Sequence, residues 1–211
     1  MKFLLSVGGI IDHRFGILTT PSHRGVPSGI LAGMEWAADN EAFTKDFNSS
    51  VYFPWFETML PYKGKCLFIT IPDKIYDAVG TIELFNRWHE YYEDWPLAFV
   101  AQDGQEFLDF PSTDKWSALF VGGSTVWKDG RGAVECIHRA QALGKHIHIG
   151  RVNFDRRYTH FDRMEGSNEF TCDGTRQRFE GVERTVRAWL GYMDRTRYQI
   201  RMPLSGGDNS S

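Results

Sequence analysis

The sequence predicts an α/β fold: a small or incomplete (β/α)8 TIM-like barrel, a single domain over residues 1–204 with a flexible tail at 205–211. Three observations carry this. Continuous apolar runs of strand length recur along the chain, as in parallel strands covered on both faces. Helical patterns separate several of them, the alternation of right-handed βαβ units. Four of the runs end in an acid, and those ends are spread along the whole chain. A barrel gathers every strand end at one mouth, whereas an open sheet concentrates its site at one switch point. A doubly wound open sheet is the alternative, but no GxGxxG turn supports it.

Taken in order, Lys2–Val7 reads as the first strand. Residues 12–27 are rich in Gly, Pro, Ser, Thr and His and read as a loop. The second strand lies within Ile30–Ala38 and ends at Asp39-Asn40-Glu41. Residues 43–60 are aromatic-rich and partly helical, with Pro54 near the helix start. Lys65–Ile71 is the third strand, ending at Pro72-Asp73. Ile75, Val79, Ile82, Phe85, Trp88 and Tyr92 fall on one helical face, a core stripe. Leu97–Ala101 and Ala118–Val121 are the fourth and fifth strands, followed by Gln102-Asp103-Gly104 and by Gly122-Gly123. A helix over Gly132–Leu143 stops at Gly144. His146–Val152 is the sixth strand, Phe154–Met164 a short helix, and Phe170–Cys172 the seventh strand, ending at Asp173-Gly174. Val182, Val186, Trp189, Leu190 and Met193 mark a last helix.

With 211 residues, 42% hydrophobic and 15% aromatic, the chain can build a real core and is not a disordered polymer. The formal net charge of −3 is unevenly spread: residues 1–130 carry 10 basic and 17 acidic side chains, residues 131–211 carry 14 and 10. That excess is modest, and a solvated face explains it as well as a phosphate-binding one. Cys66, Cys136 and Cys172 have no zinc-ligand spacing. Buried thiols suit a reducing compartment. The N-terminal apolar run is too short for a signal peptide and no run nears membrane length, so a cytoplasmic protein is expected, with no cofactor, no metal and no membrane partner.

The strand-end residues Asp39, Asp73, Gln102, Gly122, Gly123 and Asp173 are the candidate site. A carboxylate cluster with amide donors can bind Mg²⁺, cleave a glycosidic bond or read a purine edge. Two carboxylates, one nucleophilic and one acid/base, are what retaining glycosyl chemistry requires. Gln and Asp match the donor/acceptor edge of a guanine-like base, and Phe43 or Trp127 could stack on it. Bland readings stand beside these. Asp39 and Asp73 each also read as helix N-caps. Asp103 reads as a turn residue beside Gly104. His146 and His148 share one face and also read as satisfied interior histidines. Arg151 and Lys128 could meet phosphate; Arg176 and Arg156-Arg157 read as surface charges or as phosphate contacts.

Several of these motifs, in this order, resemble the tRNA-guanine transglycosylases and their DNA-modifying relatives that insert 7-deazaguanines. Gly16-Ile17-Leu18-Thr19-Thr20-Pro21 resembles that family's early Gly-x-x-x-Thr-Pro turn. Asp39-Asn40-Glu41-Ala42-Phe43 resembles its Asp-Ser-Gly-Gly-Phe loop. Asp73, Gln102 and Gly122-Gly123 resemble the base-reading Asp, Gln and glycine pair. Cys172-Asp173-Gly174-Thr175-Arg176 resembles the segment of the nucleophilic Asp. The similarity spans residues 16–178 and looks closest to short phage and bacterial proteins. The resemblance implies that Asp173 attacks the anomeric carbon and Asp39 acts as general acid/base. It assigns base or nucleic-acid contacts to Phe43, Asp73, Gln102, Gly122, Gly123, Trp127, Lys128, His148, Arg151 and Arg176. The implied reaction exchanges guanine in nucleic acid, DNA before tRNA, for a 7-deazaguanine. A homodimer is left open, and a phage-encoded protein would act in the host cytoplasm. The chain departs from the family in lacking the Cys-x-Cys-x-x-Cys…His zinc site and in carrying Glu41 in place of a glycine. Rival functions are an N-glycosidase or nucleoside hydrolase on the same acids, a Mg²⁺-dependent phosphohydrolase, and a non-catalytic nucleic-acid binder.

Overall fold

In a computed structural model, eight parallel strands close into a barrel in simple sequence order. The structure describes residues 1–6, 9–23, 25–42, 47–164 and 169–201, without the side chains of 177, 178 and 196–201. The strands are β1 (Lys2–Leu5), β2 (Gly16–Thr19), β3 (Trp36–Ala38), β4 (Cys66–Thr70), β5 (Leu97–Ala101), β6 (Ala118–Val121), β7 (His146–Ile149) and β8 (Phe170–Cys172). Closure comes from β1 pairing with β8, Lys2 opposite Thr171 and Phe3 opposite Cys172. The helices are α1 (Ser28–Leu31), α2 (Ser49–Met59), α3 (Ala78–Trp88), α4 (Thr125–Lys128), α5 (Arg131–Ala142), α6 (Asp155–Asp162), α7 (Arg176–Glu180) and α8 (Val182–Arg201). No helix among the described residues is long and apolar enough to cross a membrane.

The barrel is therefore complete, not truncated, and the additional strand is β2, within the stretch whose composition predicts a loop. Gly16-Ile17-Leu18-Thr19 is only four residues long, inside a polar stretch, yet all four are buried between β1 and β3. Two other boundaries also move. Ile30 belongs to the single turn of α1, and β3 begins only at Trp36. Helix α2 starts at Ser49, because the Asn48 side chain accepts the Ser50 N–H at 3.0 Å; Pro54 then lies inside the helix. Val79, assigned to the core stripe of α3, is 56% exposed, since the helix turns Phe85 and Thr81 inward instead. Asp77, not Asp73, caps α3 by accepting the Gly80 N–H at 2.9 Å.

Each strand alternates between two cores. Outward side chains such as Ile17, Trp36, Phe99 and Ile147 pack under the helices; Trp189 of α8 stacks on Phe3 with ring centroids 4.0 Å apart. Inward side chains fill the barrel: Leu4, Leu18, Ala37, Phe68, Ala98 and Ala118 are all buried together. The pairing of β3 with β4 slips between Trp36 and Ala37, so Leu67 and Phe68 both reach this interior. The three alanines leave room for Phe68, which touches Phe120, His146 and His148. An apolar plug thus fills the barrel and forms the floor on which the strand ends stand.

Candidate active site

A cavity of about 140 Å³ opens at the C-terminal ends of the strands. Its lining brings together Asp39, Asp73, Gln102, Gly122, Gly123, Arg151 and Asp173, seven of the residues singled out in the sequence, with Asn40 and Glu41 beside them. Each acid stands one to three residues beyond the last residue of its strand, where the chain leaves the sheet and the side chain can turn over the barrel mouth.

Asp173 is 9% exposed. Its Oδ1 accepts the Arg151 N–H at 2.8 Å and faces His148 Nε2 at 3.3 Å. Its Oδ2 accepts no hydrogen bond among the described residues and is the oxygen left for chemistry. Burial raises the pKa of this carboxyl, but the hydrogen bond from His148, the Arg151 amide and the nearby Lys128 charge outweigh burial, and the net shift is downward. His148 is wholly buried, and burial lowers its pKa, so it is held as the neutral ring. Thr171 Oγ1 lies 2.8 Å from His148 Nδ1 and 2.8 Å from His146 Nε2. An ionised Asp173 fixes the tautomers: His148 Nε2–H donates to Asp173, Thr171 O–H donates to His148 Nδ1, and His146 Nε2–H donates to Thr171. Three interior side chains thus act in series to aim one carboxylate.

Asp39 behaves oppositely. Its Oδ1 accepts the Glu41 N–H at 2.9 Å, a tight Asx turn, and Oδ2 has no partner among the described residues. Burial, with repulsion from Asp173, Asp73 and Glu41, pushes its pKa up to about 7 despite the Glu41 amide. Two carboxyls at one mouth therefore have affinities for the proton driven apart, the arrangement that separates an acid/base from a nucleophile.

Asp73 and Gln102 are bonded to each other. Asp73 Oδ2 accepts Gln102 Nε2 at 2.7 Å and Oδ1 accepts Asn40 Nδ2 at 2.9 Å. Gln102 Oε1 takes the Tyr76 N–H at 3.1 Å and the Gly123 N–H at 2.9 Å. This leaves one Gln102 N–H and one lone pair on each Asp73 oxygen for a ligand. Asp73 is raised in pKa by burial, partly offset by the two amides. Asn40, which is not among the site residues the sequence singles out, is the linchpin of this network; it also donates to the Ile71 carbonyl at 2.7 Å. Gly123 adopts φ +68°, and any Cβ there would overlap Trp127.

Backbone strain converges here too. Among the described residues, three non-glycines have positive φ: Glu41, Tyr76 and Arg151. Each donates its N–H to a site side chain, namely Asp39, Gln102 and Asp173. Such positions cost about 1–3 kcal/mol each and persist where the surroundings over-determine them.

Other sequence assignments are corrected by where the side chains lie. Trp127 is 9% exposed and turns into the wall, its indole donating to Glu106 at 2.8 Å, so it offers no stacking face. Lys128 is 1% exposed and donates to the Gly150 carbonyl, so it cannot meet a phosphate. His148 is buried beneath Asp173 and contacts that residue, not a ligand. Arg176 is tied to Glu180 at 2.8 Å and to Tyr192 at 3.1 Å, outside the cavity lining. Phe43 lies outside the described residues, as does the 205–211 tail. Thr171 and Thr20, which donates to Glu41 at 3.0 Å, were missed. For Thr171 the signal was present: it alternates with Phe170 and Cys172 and so faces the barrel interior with the histidines.

Comparison with known protein families finds no matching family, and no curated protein matches the chain. Among the described residues, no group of three or more His, Cys, Asp or Glu side chains converges as a metal-ligand set. What fold and site define is a (β/α)8 barrel with a carboxylate pair of split proton affinity at its mouth.

Proposed function

We propose that this protein is a base-exchange glycosyltransferase that replaces guanine in nucleic acid, DNA in preference to tRNA, with a 7-deazaguanine derivative. The single observation that carries the reading is the carboxylate pair: Asp173 ionised with Oδ2 open to the cavity, Asp39 holding its proton to about pH 7. In the first half-reaction Asp173 Oδ2 forms a bond to the anomeric carbon as the C–N bond to guanine breaks. That electron pair leaves with the base, and Asp39 supplies its proton. In the second, Asp39 takes a proton from the incoming base, whose nitrogen attacks the same carbon and expels Asp173. Two inversions give net retention. The spare N–H of Gln102 and the spare lone pairs of Asp73 suit the carbonyl and N–H edge of a guanine.

The test is incubation of the protein with tRNA, duplex DNA and single-stranded DNA, each with labelled guanine or 7-cyano-7-deazaguanine. Incorporation lost in Asp173→Asn, with a sugar adduct accumulating in Asp39→Asn, supports the reading. Full exchange by both variants refutes it. Release of free base without incorporation would make the protein a glycosidase.

A further inference from the structure

Lys128 closes α4 and is buried to 1% exposure. Its only acceptor among the described residues is the Gly150 carbonyl, at 2.5 Å. That carbonyl belongs to the same peptide unit as the Arg151 N–H, which donates to Asp173 Oδ1 at 2.8 Å. One rigid plane therefore carries an ammonium on its oxygen and a carboxylate on its nitrogen. The peptide dipole, about 3.5 D, points its positive end at Asp173 and its negative end at Lys128. Each hydrogen bond polarises the other.

We propose that Lys128 is a positioning residue, which keeps the Asp173 carboxylate ionised and aimed by acting through the Gly150–Arg151 peptide. The role of Asp173 as nucleophile rests on the function proposed above; its coupling to Lys128 does not. A lysine at this place is otherwise hard to account for. Burial, and after it the neighbouring Arg151, lower its pKa to about 7, so the ammonium is complete below that pH, across the range in which Asp173 titrates. An apolar side chain of the same length would fill the volume at lower cost. The surrounding loop is held independently of Lys128: Arg157 donates to the Arg151 carbonyl at 3.1 Å and pairs with Asp129, and the Arg151 guanidinium holds the Gly123 carbonyl. A mere tether between α4 and β7 would therefore be redundant.

The charged and titratable groups that share this environment are Arg151, Arg157 and Asp129 around Lys128, and His148 and Asp39 around Asp173. Among the described residues, none of these side chains bonds the Gly150 carbonyl; Lys128 does, and so reaches Asp173 along the peptide.

The experiment is a ¹³C NMR titration of the Asp173 carboxyl in the full chain, assigned by its absence in Asp173→Asn. In Lys128→Met the midpoint should move up by about one pH unit. In Lys128→Gln, whose amide can still bond Gly150 but carries no charge, it should move up by less. Exchange rate at saturating base should fall about tenfold in Lys128→Met with little change in KM. Titration of Asp173 at the wild-type midpoint in both variants overturns the proposal. Should neither variant fold, the wild-type protein decides: the Lys128 ε-carbon signal must show a step at the pH where Asp173 titrates, and its absence overturns the coupling. If Asp173→Asn keeps full exchange, the glycosyl-transfer reading fails while the titration result stands.

Discussion

Replacing Asp39 by Asn should make the protein more stable and less active, and the gain should depend on pH. Asn keeps the Oδ1 acceptor for the Glu41 N–H, so the turn survives. Burial pushes the native carboxyl up to about 7 from the ordinary aspartate value of 3.8. Between those values the folded state binds more protons than the unfolded one, so Asp39 subtracts stability as the pH rises across that window. A shift of about three units at 1.36 kcal/mol each sets an upper bound of about 4 kcal/mol. Asp39 is partly exposed at the mouth, and screening reduces this to about 2 kcal/mol. Urea unfolding of both proteins at several pH values between about 4 and 8 checks this. The curves should coincide near pH 4 and diverge by about 2 kcal/mol at pH 8, with the variant more stable. A difference that stays flat over that range refutes the raised pKa, and with it the acid/base role of this residue.

Three further outcomes are expected. Thr171→Val leaves two buried imidazole nitrogens without a partner and should cost about 2–4 kcal/mol in thermal or urea unfolding, while slowing exchange about tenfold as His148 loses its fixed tautomer. Gly123→Ala should destabilise by about 2–4 kcal/mol, because φ is +68° and the new Cβ overlaps Trp127 and sits 2.8 Å from Asp103 Oδ2. Gln102→Glu sets a second carboxylate against Asp73, where the amide now donates at 2.7 Å. The pair would share a proton, and stability should fall by about 2 kcal/mol as the pH rises from 5 to 8, read by calorimetry.

The barrel and most of its mouth were legible because apolar runs that end in Asp or Gln are a local signal. Asp39, Asp73, Gln102 and Asp173 each follow a strand that needs no tertiary information to recognise. Strand β2 was not legible. Its four residues owe their burial to neighbours far away in the chain, and nothing within the polar stretch around them says so. The same reason explains the side chains assigned to substrate that proved to face elsewhere. Spacing places Trp127 and Lys128 just past the glycine pair, but which way they turn is decided by Glu106 and by the Gly150 carbonyl. His146 and His148 show the reverse: strand alternation already put both on the inner face, and the partner that gives them a task, Thr171, is visible only once β7 lies beside β8.

The three left-handed residues Glu41, Tyr76 and Arg151 have a consequence for motion. Glycine would occupy each of these turns without strain, and a protein selected for stability alone would use it. A side chain with a Cβ has only a small island of allowed dihedral angles there, whereas glycine has broad plains on either side. The amide hydrogens aimed at Asp39, Gln102 and Asp173 are therefore confined to narrow arcs. Whatever enters the mouth meets two carboxyls and an amide already held in place by these N–H groups, and little ordering of these loops is left for the moment of binding.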